Sequence, residues 1–75
     1  MDFRDRVSVD AEIRFGKPCI RGTRISVGDI LGFLATGMTE AAIVAEYPPL
    51  TTEDIRAALA FAAAREARTT TLPAA

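Results

Sequence analysis

Gly16-Lys17-Pro18-Cys19-Ile20-Arg21-Gly22-Thr23-Arg24-Ile25, running into Ser26-Val27, divides this chain in two. The stretch carries Lys17, Arg21 and Arg24 and no acid. Apolar side chains at Cys19 or Ile20, Ile25 and Val27 alternate around the basic positions, the pattern of extended chain with one face inward. Gly22 calls for a sharp turn or a positive φ between Arg21 and Thr23. What precedes the stretch reads as strand, and almost everything after it reads as helix. The expected fold is mainly α: a short N-terminal β-strand pair followed by a three-helix bundle.

Upstream, residues 6–14 alternate Val7, Val9, Ala11 and Ile13 with Arg6, Ser8, Asp10, Glu12 and Arg14. Period two marks a half-buried strand, although Asp10-Ala11-Glu12 can instead form a turn within it. Pro18 cannot donate to a ladder and belongs at a strand start or edge. Two strands alone are marginal in water and need a helical layer or a second copy to pack on.

Downstream, Ser26 and Asp29 have capping-box spacing, and Val27, Ile30, Leu31 and Leu34, with Phe33 flanking, give an apolar helical stripe. Gly32 offers a place for another backbone to approach closely, and Gly37 ends the helix. Thr39 caps a second helix whose inward residues are Ala41, Ala42, Ile43, Val44 and Tyr47. Pro48 and Pro49 stop it, and Leu50 plugs the core from the connection. Thr51 and Asp54 repeat the capping-box spacing and open a third helix, with Ile55, Ala58, Leu59, Ala62 and Phe61 inward. Residues 69–75, a threonine run broken by Pro73, should form an irregular tail.

The 75 residues make one domain: 1–25 strand-rich and suited to dimerisation, 26–68 the helical unit, 69–75 the tail. So small a core is marginal, and one cysteine excludes an intrachain disulfide, so a homodimer is the expected remedy. Val7, Val9, Ile13, Ile20 and Ile25 are its candidate interface. There is no histidine, so Cys19 lacks partners for a metal site or for activation and reads as a small buried hydrophobe. No cofactor is implied, and the acids sit at helix starts, where capping explains them. Catalysis is therefore not expected. No apolar run approaches the ~20 residues of a membrane span, the N-terminus is not a signal peptide, and a lone thiol fits a reducing cytoplasm.

Charge is unevenly divided. Residues 1–25 carry six basic and four acidic side chains, whereas 26–75 carry three basic and six acidic. The last two helices, joined through Tyr47-Pro48-Pro49-Leu50 behind an earlier one, suggest a helix-turn-helix unit. The first turn of its last helix offers Thr51, Thr52, Glu53 and Arg56 to DNA, and Lys17, Arg21 and Arg24 add a basic patch able to meet phosphate. Against DNA stands the acidity of Glu46, Glu53 and Asp54 at the place where phosphates would come. The bland alternative is a capped bundle with solvated cations. Gly16-Lys17 and Gly22-Thr23 are not a phosphate loop, because the lysine follows the first glycine.

The run Gly16-Lys17-Pro18-Cys19-Ile20-Arg21-Gly22-Thr23-Arg24-Ile25-Ser26-Val27 resembles the signature of domain-of-unknown-function family number 433. The likeness continues through Asp29-Ile30-Leu31, Ala35–Thr39, Glu46-Tyr47-Pro48 and Leu50–Leu59, covering about residues 6 to 64. Members are often described as VapB-type antitoxins. The resemblance implies an N-terminal strand unit and a homeodomain-like helix-turn-helix bundle in a small prokaryotic protein, often encoded beside a PIN-like ribonuclease toxin. It implies an antitoxin that binds and neutralises that toxin and binds operator DNA as an autoregulator. The alternative is a protein-interaction module whose helix-turn-helix shape has lost DNA contact. Cys19 stands where a β-branched residue is commoner, Arg14 and Phe15 occupy a variable lead-in, and Pro49 makes a double proline.

Overall fold

Each helix begins where a side chain can satisfy its free amides. The computed structural model describes residues 2–69, without the side chains of 68 and 69. Helix α1 spans Val27–Ala35; Ser26 accepts from the Asp29 amide while the Asp29 carboxylate accepts from the Ser26 amide. Gly37, at φ +97°, follows α1 and directs its amide back to the Leu34 carbonyl. Helix α2, Glu40–Glu46, starts with Thr39 accepting from Ala42. Helix α3, Thr52–Thr69, starts with the reciprocal pair Thr51 and Asp54. It takes in Thr69, and the rest of the expected tail lies outside the described residues.

The expected strand pair is present, in shorter form. Strand β1 is Val7–Ser8 and β2 is Cys19–Ile20, antiparallel, with Val7 opposite Ile20 and Ser8 opposite Cys19. Alternation over 6–14 does not persist as a strand. Asp10 accepts from the Glu12 amide, its carbonyl accepts from Ile13, and the chain turns. Val9 consequently faces solvent. Pro18 stands at the start of β2, and its carbonyl accepts from Val27. At Ile20–Thr23 the chain turns on Gly22, φ +81°, with Thr23 donating to Ile20 through both its amide and its hydroxyl.

The core is Val7, Ile20, Val27, Ile30, Ile43, Leu50, Ile55, Ala57 and Ala58. It joins the strand pair to all three helices, so the helical layer that two short strands need is supplied within one chain. Leu50 is buried as expected, and so is Cys19. Four helix positions depart from expectation. Ala41 and Ala42 are exposed, leaving Ile43 to anchor α2. On α3, Leu59 is exposed and Ala57 buried. The inward stripe of α3 is turned toward Asp54, Ala57 and Phe61, because Asp54 meets Arg6 and Phe61 meets Phe3 edge-on at 5.3 Å. Gly32 has open space about it, so no backbone approaches there. Among the described residues no helix is long and apolar enough to cross a membrane.

Candidate functional site

Two arginines tie the N-terminal arm to the helix starts. Arg6 reaches Asp54 Oδ1 at 3.0 Å, while Asp54 Oδ2 accepts from the Thr51 amide at 2.9 Å. Arg14 reaches Asp29 Oδ2 at 3.0 Å and also donates to the Arg24 carbonyl. The carboxylate of each capping box thus does a second job, which spacing along the chain cannot reveal. Asp29 is held below the usual carboxylate range, first by the Ser26 amide; burial, next in size, opposes this, and Arg14 and the Ser26 hydroxyl add to the lowering. A lowered folded-state value means stability present above about pH 4 and lost as pH falls through that value. Asp29→Asn keeps an amide acceptor for Ser26 but removes the charge. We expect it to cost about 1 kcal/mol at neutral pH. Urea unfolding should show the gap from wild type closing as pH falls below the ordinary carboxylate value. A gap constant with pH would remove the charge from the account.

The candidate cations separate into bound and unbound. Arg21 donates to the carbonyls of Arg4 and Asp5 and so braces the arm. Arg56, exposed as its helical position implies, stands 3.7 Å from Glu40. The exposed side chains of Lys17 and Arg24 make no ion pair or hydrogen bond among the described residues. The structure does not gather the candidates into one place. Thr51, Thr52, Glu53 and Arg56 lie at the start of α3, whereas Lys17 lines a cleft with Phe61, Ala62, Arg65 and Glu66. Ten helical residues, or ~15 Å, separate Thr52 from Ala62. Of the candidate dimer residues, Val7 and Ile20 are buried in this chain's own core, Ile13 and Ile25 are half-buried, and Val9 is exposed.

The cleft encloses about 380 Å³ between the start of α1 and the second half of α3. Pro18, Val27, Leu31, Phe61 and Ala62 form its apolar surfaces. Arg65 lies over the Phe61 ring, 5.9 Å from its centre. Sequence reading missed this cleft because its walls come from both halves of the chain. It also missed Phe15, which is 99% exposed. Arg14, Phe15 and Gly16 have consecutive positive φ values of +51°, +59° and +84°. For each of the two non-glycine residues this costs about 1–3 kcal/mol and needs support from its surroundings. Arg14 has that support from Asp29 and the Arg24 carbonyl.

The sequence profile of the DUF433 family, a protein family of unknown function, matches residues 7–62. The chain belongs to the DUF433 family. The solved structure of a DUF433 member from Anabaena variabilis superposes with a TM-score of 0.79 at 26% identity. The likeness covers 87% of this chain and 64% of that one. No curated protein matches the chain. DUF433 membership agrees with the resemblance of the Gly16–Val27 run, and the mainly helical fold with its N-terminal strand pair is the one expected.

Proposed function

We propose that the chain is an antitoxin-type regulator that binds and neutralises a PIN-like ribonuclease toxin, with operator DNA as a second ligand. The observation that carries this reading is the charge of the α2–α3 face. Glu46 at the end of α2 and Glu53 in the first turn of α3 are exposed, and Glu40 stands 3.7 Å from Arg56, the cation in that turn able to read a base. Phosphates are repelled by such a face. A ribonuclease holds RNA on a basic surface, which an acidic helix pair complements and occludes. Loss of a homeodomain-like reading role at this face is therefore compatible with the helix-turn-helix shape.

The test is a titration of the full chain against the toxin-like product of the adjacent gene, with RNA cleavage as a second readout. Glu46→Lys combined with Glu53→Lys should weaken binding by about 10–100-fold, chiefly through slower association, and restore cleavage. Unchanged binding after both reversals would exclude this face.

Lys17 and Arg24 favour the DNA reading by another surface, being exposed and unengaged. Two such cations per chain give a dimer about four phosphate contacts, hence a slope of about −4 for log K against log salt. In the same titration with operator duplex, Lys17→Ala and Arg24→Ala should each flatten that slope, whereas Arg56→Ala should not.

A further inference from the structure

We propose that Phe15 anchors a homodimer in which each chain's ring enters the α1–α3 cleft of the other copy. The fold gives the ring no work within its own chain. It is 99% exposed, on a backbone left-handed at both Arg14 and Phe15. Arg14's bonds account for the loop's path but not for a large apolar side chain at its tip. A serine or asparagine would serve the turn better, since polar residues tolerate that conformation and solvent.

The receptor lies on the same molecule. The cleft's 380 Å³ falls in the range of pockets that hold a small organic group, and its apolar surface with a charged rim is the usual anatomy of an interface. Phe15 precedes Pro18, a cleft residue, by three positions, so it stands no more than ~11 Å from it. A two-fold axis passing between tip and cleft therefore places both rings in both clefts at once, and the contact closes on itself. A foreign partner would have no need of ring and cleft side by side on one chain, whereas a second copy uses both. This is an exchange of loops, unlike the strand-built interface expected from the sequence, for which Val7 and Ile20 are already covered.

Sedimentation equilibrium of the full chain between about 1 and 100 µM decides the matter. Wild type should approach twice the 8.0 kDa chain mass. Phe15→Asp should weaken association by roughly 100-fold, as loss of an aromatic anchor does. Phe15→Gly, which accepts the left-handed backbone without strain, should be equally monomeric and at least as resistant to heat, separating lost association from lost folding. Ala62→Trp fills the cleft and should also give a monomer. Mixing the Phe15→Asp and Ala62→Trp chains leaves one intact ring and one intact cleft, so a heterodimer weaker than wild type should form. A wild-type chain monomeric throughout, a Phe15→Asp dimer as tight as wild type, or no association in the mixture would each overturn the proposal.

Discussion

Asp54→Ala should destabilise the protein by about 3 kcal/mol and lower its melting temperature by roughly 12–24 °C. Both carboxylate oxygens are engaged: one with Arg6 at 3.0 Å, the other with the Thr51 amide at 2.9 Å. Loss of the cap contributes about 1 kcal/mol. The ion pair lies between the surface and buried cases, because the Asp54 side chain is 9% exposed and that of Arg6 40%. Arg6 left alone recovers much of its hydration, so the pair contributes about 2 kcal/mol rather than the larger figure for a fully buried couple. Arg6→Ala leaves a buried carboxylate without its cation and should be comparably damaging. Denaturant unfolding of both single variants and the double variant should give a coupling of about 1–2 kcal/mol. A loss below about 1 kcal/mol in Asp54→Ala would mean that the arm is held by apolar packing alone.

That result bears on what the sequence can disclose. The helix starts were legible because a cap is local: Ser26 and Asp29, Thr39, and Thr51 and Asp54 lie within one turn of the amides they serve. Gly37 and Leu50 were legible for the same reason, one through its backbone freedom, the other through its isolation between breaks. The partners of those same acids were not legible. Arg6 and Asp54 are 48 residues apart, and no periodicity connects them. The alternation over 6–14 was real in composition but not in structure, because Asp10 offered the backbone a turn that competes with the ladder. On α3 the pattern was ambiguous: alanine serves inside or outside, so Leu59 outweighed Ala57 in the reading although Ala57 is the buried residue. The left-handed pair Arg14-Phe15 carries no sequence signal, since neither side chain favours that conformation. The cleft needs tertiary structure to exist at all.

Ile43→Ala should cost about 3 kcal/mol, and the damage should fall first on α2. This helix has seven residues, well below the ~12–15 that an isolated helix needs even in a favourable sequence. Its existence therefore depends on packing. Ile43 has no exposed surface, and Val44 and Tyr47 are half-buried beside it. Tyr47 stacks on Phe33 with ring centres 4.7 Å apart and planes 11° from parallel, which fastens the C-terminal end of α2 to α1. Truncating Ile43 leaves a cavity in the core, and the exposed Ala41 and Ala42 have no methylenes with which to fill it. Amide hydrogen exchange across 40–47 should quicken by more than that across 27–35, because opening α2 abandons one fully buried side chain whereas opening α1 abandons two. On the proposed reading, affinity for a toxin should then fall although Glu46 and Glu53 are unchanged, since Glu46 ends the helix that opens. Equal quickening in both helices would show that α2 opens only when the whole fold does, and the loss of affinity would then follow global unfolding.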